Sequence, residues 1–279
     1  MTRSFVFSSG GPGKGRAWPA LLAMALGIAT QACGESGGTS TAELNGTPDA
    51  MTMGMDDSVS AGSFSCGALD CSLDTVDSGS IRRLCCDFAG PADNAAHFNS
   101  EAGTWAVLDG SYDAKGPSTQ VTCPGGVTGG SGMSASVLSD LSMPDVQVHA
   151  KMTSIMGPDK VLVLRSRPGG NRIELNFVAN YSHMGEARGG VLNISELVDC
   201  VNVIRKGVNA NGSNIQIPHA MGQAIIVDVW LIGTHLSVLV DAKIVFDDML
   251  PVSPAAGSVG FAVSHDAETQ FDDLVVQIL

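Results

Sequence analysis

The sequence predicts an all-β protein, an antiparallel sandwich of two sheets, and three observations carry this prediction. From residue 86 to residue 279, short runs rich in Val, Ile, Leu and Phe alternate with Gly, Asn, Asp and Pro. Strands of this length at short, regular spacing are typical of sandwiches and barrels. No segment shows sustained helical periodicity. This stretch of about 190 residues is also long enough to bury one sandwich core.

The predicted strands follow one another closely, with turn residues such as Gly, Asn and Pro between them. In order they are TWAVL (104–108), DVQVHAKM (145–152), KVLVLRSR (160–167), NRIELNFV (171–178), GVLNISEL (190–197), CVNVIRKG (200–207), QAIIVDVWLIG (223–233), HLSVLVD (235–241), KIVF (243–246), GSVGFAVS (257–264) and QFDDLVVQIL (270–279).

The N-terminal segment 1–32 reads as a secretory signal. Basic residues precede an apolar run, 17–32, that is short for a transmembrane helix. Ala32-Cys33-Gly34 then resembles the lipobox of bacterial lipoproteins, which implies acylation of Cys33 and anchoring of the chain to a membrane. The alternative is an ordinary cleaved signal that leaves Cys33 as a thiol. The expected location is the cell envelope, at the outer membrane or cell surface.

Two further segments precede the sandwich. Residues 33–62 are rich in Gly, Ser and Thr, with five acidic and no basic residues. Such a composition cannot bury a core, so we expect a flexible, disordered tether. Residues 63–85 form a cysteine-rich segment, and the sandwich is predicted to span 86–279.

Seven cysteines are present, and acylation of Cys33 would leave an even number, as expected in an oxidising compartment. We expect these six to form disulfides, in one of 15 possible connectivities; they are Cys66, Cys71, Cys85, Cys86, Cys123 and Cys200. A zinc site is the alternative, but the spacing is irregular and no His lies within the cluster.

The net charge disfavours some partners. It is −13 for the whole sequence, and removal of residues 1–32, with three bases and no acid, takes it to about −16. Nucleic-acid binding requires a basic surface that neutralises phosphates, so we expect no nucleic-acid partner.

The order of the runs resembles the concanavalin A-like lectin/glucanase sandwich, in the branch of laminin-G-like and keto-disaccharide hydrolase-like domains. The segments that carry the resemblance are CDF (86–88) with HFNSEAGTWAVLDGSY (97–112), VLVLRSRPGGNRIELNF (161–177), WLIGTHLSVLVDAKIVFDD (230–248) and GSVGFAVSHDAETQFDDLVV (257–276). The resemblance implies a jelly roll, with Trp105 in the core. Ala242 stands where the family usually has Gly.

Alternation along the strands predicts a ligand site. Val146, Val148, Ala150 and Met152 should face the core, as should Ile173, Leu175, Phe177, Ile225, Val227, Val229 and Leu231. If the strands at 145–152, 171–178 and 223–232 are neighbours, their outward residues make a polar row around an exposed indole, as sugar sites do. The candidate ligand-binding residues are Arg165, Arg172, Glu174, Asn176, Asp228 and Trp230. The alternative is the wet face of an antiparallel sheet.

Three function hypotheses follow: a non-catalytic module that binds carbohydrate or another extracellular ligand, a glycoside-acting hydrolase, and a structural envelope protein. The resemblance implies that a glucanase would carry an E-x-D-x-x-E-type strand, whereas Glu174 stands alone in its run. We therefore favour the module over an enzyme. No catalytic residue is predicted. Asp87, Asp272 and Asp273 could hold Ca²⁺ where the first and last strands meet, or could bond backbone amides instead.

Overall fold

The computed structural model consists almost entirely of β-strands and turns in the residues that it describes, which are 72–75, 82–89, 97–119, 132–139, 141–206, 215–251 and 255–279. The predicted signal and tether lie outside the described residues, and so do Cys33, Cys66, Cys71 and Cys123. Within the described part, no helix has the length and apolar character needed to cross a membrane.

The strands are numbered here in chain order. They are β1 (Ser72–Thr75), β2 (Arg82–Cys86), β3 (Phe98–Ser100), β4 (Thr104–Leu108), β5 (Ser111–Lys115), β6 (Met133–Leu138), β7 (Val146–Met156), β8 (Val161–Arg167), β9 (Asn171–Val178), β10 (Tyr181–His183), β11 (Glu186–Arg188), β12 (Val191–Val198), β13 (Val201–Lys206), β14 (Ile215–Gln216), β15 (Ala224–Ile232), β16 (His235–Val240), β17 (Lys243–Met249), β18 (Ser258–Ser264) and β19 (Glu268–Ile278).

Two large antiparallel sheets contain nearly all of these strands. Sheet A has the order β1-β2-β19-β7-β15-β16-β17, and β5 pairs with both β19 and β4. Sheet B has the order β13-β12-β9-β8-β18-β6-β3, and β14 pairs with β12. The short hairpin β10–β11 stands apart from both sheets. The predicted antiparallel two-sheet sandwich of jelly-roll type is therefore confirmed, and sheet A begins upstream of the predicted boundary at residue 86.

The core lies between the two sheets and follows the predicted alternation. The inward residues of β7, β9 and β15 belong to one hydrophobic cluster, and each is at most 4% exposed. Their neighbours in sequence point away from the core because successive side chains of a strand alternate between its two faces. The predicted inward faces of these three strands are thus confirmed.

Aromatic rings fill one part of this core. The rings of Phe261 and Phe271 stack across the two sheets with their centroids 4.1 Å apart. Trp105 is half-buried and packs on Tyr112 and Phe271, at centroid distances of 5.6 and 6.4 Å. Trp105 thus packs against the core, as the family resemblance implied.

Two tight turns show why Ala242 is an unfavourable residue at its position. The β16–β17 turn has Asp241 at φ 49° and Ala242 at φ 61°, and the β4–β5 turn has Asp109 at φ 48° and Gly110 at φ 82°. Two successive positive φ angles define the type I′ hairpin turn, which favours Gly at its second central position. An L-residue pays about 1–2 kcal/mol for this conformation.

We expect Ala242→Gly to stabilise the protein by about 0.5–1 kcal/mol, after allowance for the greater chain entropy of unfolded Gly. Urea unfolding monitored by fluorescence measures the change. Gly110→Ala is the matched reverse variant, since a Cβ added there meets no atom within 4 Å and only the backbone angle is strained. Equal stability of Ala242→Gly and the unaltered protein would show that this turn is unstrained.

Candidate functional site

The predicted ligand row is divided between the two sheets. β7 and β15 are neighbours in sheet A, so Asp228 and Trp230 share an outer face with the outward residues of β7. β9 lies instead in sheet B, between β8 and β12, and it carries Arg172, Glu174 and Asn176. The condition for one row that unites all of these residues, namely that the three strands are neighbours in one sheet, is therefore not met. Strand alternation fixes the face of a residue but does not fix the sheet that a strand joins.

The outer face of sheet A carries a continuous line of residues across five strands, which we call the Trp230 row. Pairing registers place Trp230 of β15 opposite Gln147 of β7 and opposite Ser237 of β16. Gln147 is in turn opposite Gln277 of β19, and Ser237 is opposite Asp247 of β17. An indole thus lies in the middle of four polar side chains.

Hydrogen bonds order both ends of the Trp230 row. Arg83 donates from Nη2 to Oε1 of Gln277 over 3.0 Å. At the other end, Ser237 donates to Asp247, and Nε2 of His235 lies 2.9 Å from the same carboxylate. Because these side chains hold one another, their polar atoms are positioned before any ligand arrives, which lowers the entropy lost on binding.

A paired imidazole and carboxylate lie next to the indole. His149 and Asp228 are directly opposite on β7 and β15, and Nδ1 of His149 is 2.7 Å from Oδ1 of Asp228. Their side chains are 21% and 14% exposed, so both still reach the surface of sheet A. They therefore add hydrogen-bonding capacity beside Trp230.

Exposed aliphatic side chains extend this face beyond the polar row. Ile232 is 51% exposed, and Ile226 is 43% exposed on the same strand. Ile244 on β17 is 69% exposed and pairs with Leu239, which is opposite Asp228. The face therefore combines a partly exposed indole, aliphatic surface and ordered polar groups, a combination that suits a ligand with both apolar and hydroxyl-bearing faces.

The outer face of sheet B has a different character. Val161, Val163, Ala135 and Ala262 form a second buried apolar cluster there, each at most 2% exposed. Beside it, Nε of Arg172 donates to Oε1 of Glu174 over 2.8 Å, and both side chains are at most 5% exposed. Arg172 and Glu174 thus form a buried ion pair in sheet B.

Further bonds complete the network around Arg172. Its Nη1 donates to Oε1 of Glu101 over 3.2 Å, and its Nη2 donates to the carbonyl of Met133 over 3.0 Å. Asn176, also on β9, donates from Nδ2 to Asp159 over 2.8 Å. In the structure, Arg172 and Asn176 therefore bond to other parts of the sandwich, and Glu174 bonds to Arg172.

Arg165 connects the two sheets at one end of the sandwich. Its side chain is 3% exposed and donates to the carbonyl oxygens of Pro144 and Gly233, each over 2.6 Å from Nη2. The backbone of Arg165 has a φ of 50° at a β-bulge of β8, which redirects the side chain. Burial lowers the pKa of Arg165. Arg165, a candidate ligand-binding residue in the sequence, is turned by this bulge towards sheet A, where it bonds to backbone carbonyls.

The predicted calcium ligands have other partners. Nζ of Lys151 lies 2.9 Å from Asp272 and 4.0 Å from Asp273, and the hydrogen bond to Asp272 raises the pKa of Lys151. Asp87 accepts a hydrogen bond from the amide of Ala89 over 3.1 Å. Among the described residues, no group of three His, Cys, Asp or Glu side chains is placed to hold a metal ion. The geometry therefore gives the calcium hypothesis no support.

A buried lysine was not anticipated from the sequence. Lys160, directly before β8, is fully buried, and its Nζ donates to Oγ of Ser154 over 3.0 Å. Nζ also lies 2.5 Å from Nε2 of His219. The sequence shows only a Lys directly before an apolar run, and this pattern is equally typical of an exposed strand end. Burial lowers the pKa of Lys160 from 10.5 to about 8.

The lowered pKa of Lys160 predicts an alkaline gain in stability. Below pH 8 the amine is charged in both states, and folding carries the cost of desolvating the charge. Between pH 8 and 10.5 the unfolded chain binds this proton and the folded chain does not, so the free energy of unfolding rises with pH, by about 3 kcal/mol in total. Urea unfolding of wild type and Lys160→Met from pH 7.5 to 10 measures the difference. A parallel pH dependence in the two proteins would contradict the prediction.

A shallow depression lies beside the hairpin β10–β11. Its volume is about 480 Å³, and its walls include Asn180, Tyr181 and Arg188. Arg188 is bound to Glu186 over 2.9 Å, and both side chains are at least half exposed. This depression is separate in the chain from the Trp230 row, since the row is built from strands of sheet A.

Comparisons with known proteins assign no family. No protein-family model matches the sequence, and no curated protein matches it. A solved carbohydrate-binding module, CBM66 from Bacillus subtilis, is similar, with 16% identity, a TM-score of 0.47 and coverage of 64% of this chain and 93% of that chain. A putative glycosyl hydrolase from Parabacteroides distasonis is also similar, with 12% identity, a TM-score of 0.43 and coverage of 67% of this chain and 91% of that chain. A β-1,3-1,4-glucanase (lichenase) from a mouse hindgut metagenome is similar with 10% identity, a TM-score of 0.46 and coverage of 70% of this chain and 98% of that chain.

Proposed function

We propose that this chain is an exported surface protein, anchored by lipid at Cys33, whose sandwich binds carbohydrate without catalysis. The proposed site is the outer face of sheet A around Trp230. The single observation that carries this proposal is the Trp230 row, in which a partly exposed indole lies between Gln147 and Ser237 on neighbouring strands.

The chemistry of the Trp230 row suits a sugar. A pyranose ring has an apolar face of C–H groups that packs on an aromatic plane, and its hydroxyls both donate and accept hydrogen bonds. Gln147 and Gln277 offer amide donors and acceptors, and Asp228 and Asp247 offer carboxylate oxygens. Hydrogen bonds from His149 and Ser237 already orient these two carboxylates.

The separation of Glu174 from Asp228 removes one possible pair of catalytic carboxylates. A glycosidase acts with two carboxyl groups on opposite sides of one scissile bond. Glu174 and Asp228 lie in different sheets, and Glu174 is 3% exposed in an ion pair with Arg172. These two groups therefore cannot serve one substrate.

Export and the membrane anchor rest on the sequence, with support from the cysteines. The segment 1–32 has the charge and apolar pattern of a signal, and Cys33 follows it directly. After Cys33 the sequence has six cysteines, an even number, as expected for a chain that folds in an oxidising compartment outside the cytoplasm. The pairing of the six cysteines is part of the proposal.

Two experiments test the proposal. A glycan array is probed with the mature full-length protein in detergent, and the expected result is binding to a subset of oligosaccharides that Trp230→Ala abolishes. Absence of binding would favour a structural envelope protein, whereas turnover of a glycoside that Asp228→Asn abolishes would establish the hydrolase. Intact-mass analysis of the membrane fraction tests the anchor, because acylation adds the mass of the acyl chains and an unmodified Cys33 would disprove it.

A further inference from the structure

One end of the sandwich is crossed by a short segment without regular structure, residues 217–223, which we call the strap. It follows β14 of sheet B and precedes β15 of sheet A, so it connects the two sheets. Ile217 and His219, both 4% exposed, are its buried side chains. The strap therefore depends on how these two residues pack.

Backbone hydrogen bonds connect the strap to sheet A and to the residues that flank the hairpin β10–β11. The amide of Gly222 donates to the carbonyl of Ser154 on β7 over 2.9 Å. The amide of Ile217 donates to Gly190 over 2.7 Å, and the amide of Asn180 donates to the carbonyl of His219 over 2.7 Å. Asn180 and Gly190 flank the hairpin, so the strap holds the hairpin at its base.

The ring of His219 is held in its neutral form. Its Nδ1 lies 2.6 Å from the carbonyl of Ile217, which can only accept, so Nδ1 carries the proton. Nε2 is then the acceptor for the Lys160 ammonium, 2.5 Å away. Burial lowers the pKa of His219, and the charge of Lys160 lowers it further.

The charged groups around Lys160 and His219 offer little compensation for the positive charge that protonation of His219 would add. Asp159 lies beside Lys160, but its carboxylate already accepts hydrogen bonds from Asn176 over 2.8 Å and from Ser264 over 3.1 Å. Asp241, in the β16–β17 turn, acts on His219 only through longer-range attraction. The neutral hydroxyl of Ser154 on β7 accepts from Lys160, and the hydroxyl of Thr269 on β19 donates to the backbone carbonyl of Asp159.

We propose that the strap is an acid-released latch: protonation of His219 places a second cation against the Lys160 ammonium and detaches residues 217–223, with the base of hairpin β10–β11, from the sandwich. The protonated ring loses the lone pair at Nε2 that accepted the lysine proton. Two buried cations at hydrogen-bond distance repel strongly because little solvent screens them.

The sign of the pH effect follows from the direction of the shift. The folded protein holds His219 with a pKa below the ordinary 6.5 of the unfolded chain. The latch is therefore fully closed above pH 6.5, and its stability is lost as the pH falls below that value. Opening is local, since the backbone bonds of β7 and β15 do not involve the strap except at Gly222.

Hydrogen exchange of the full-length protein at pH 7.5 and pH 5.0, corrected for intrinsic exchange rates, tests the latch. The amides of Ile217, Asn180 and Gly222 are expected to lose protection at least 10-fold at pH 5.0, while those of Val148 and Val229 keep theirs. His219→Gln, which carries no titrating ring, should abolish this response. His265→Gln is the matched control, because His265 is exposed and should leave the response unchanged.

Three outcomes would overturn the proposal: equal protection of the strap at both pH values, an acid response that persists in His219→Gln, or loss of core protection in parallel with the strap. If His219→Gln does not fold, an NMR titration of the histidines in the unaltered protein replaces it. A His219 that titrates at or above 6.5 in the folded state would contradict the latch. Lys160→Met should weaken the acid response, since it removes the opposing cation.

Discussion

Trp230→Ala is expected to weaken carbohydrate binding by at least about 30-fold, which corresponds to about 2 kcal/mol of binding free energy. The indole is the one large aromatic surface in the Trp230 row, and stacking of a sugar ring on it removes apolar area from water on both partners. The measurement is isothermal titration calorimetry with the oligosaccharide that binds best on the array.

Two control variants locate the effect at the indole. Trp230→Phe retains a smaller ring and should lose only a fraction of the affinity. Met184→Ala removes an apolar side chain that is 92% exposed in the hairpin β10–β11, which is not part of sheet A, and should change the affinity less than twofold. Unchanged affinity in Trp230→Ala would show that the ligand, if one binds, lies elsewhere.

Arg172→Met is expected to lower the free energy of unfolding by about 3–5 kcal/mol. Removal of one partner from a buried ion pair leaves the other charge without compensation. Here Glu174, which is 3% exposed, would lose the guanidinium that lies 2.8 Å away. Glu101 and the carbonyl of Met133 would also lose their bonds to Arg172. Equilibrium unfolding in urea measures the loss.

A double variant and a surface control separate pairing from packing. Arg172→Met with Glu174→Leu removes both charges, and it should recover most of the stability because an apolar pair needs no compensation. Arg188→Met breaks an ion pair of similar length, 2.9 Å to Glu186, but both side chains are at least half exposed. That variant should cost less than about 1 kcal/mol. If Arg172→Met lowered the free energy of unfolding by as little as Arg188→Met, water would have to reach Glu174.

Most strands could be located from the sequence because their pattern is local. The runs 104–108 and 171–178 coincide with β4 and β9, and the other runs between 145 and 279 match strands to within a few residues. Among the missed strands, β3 and β14 are short, and β2, with its Arg-Arg-Leu-Cys-Cys sequence, lacks alternation. A strand of two or three residues carries too little periodicity to be distinguished from a loop.

The candidate site was predicted only in part. Trp230 and Asp228 were placed correctly on an outward face, because alternation within β15 is regular. Arg172 and Glu174 have the same alternation, yet they lie in sheet B and are buried. The role of Lys160 could not be foreseen, since its partners Ser154 and His219 come from other elements.

The sequence alone determined most of the longer strands of this protein and, in β7, β9 and β15, the face on which each side chain lies, because both follow from the period of two along an extended backbone. The tertiary structure decided which strands are neighbours. Pairing of β19 with β7 joins residues more than 100 positions apart, and no local pattern encodes that choice. The tertiary structure placed Arg172 and Trp230 in different sheets, turned Arg165 inward at a bulge and brought His219 next to Lys160. Each outcome depends on long-range contacts, whose specificity comes from packing the whole core.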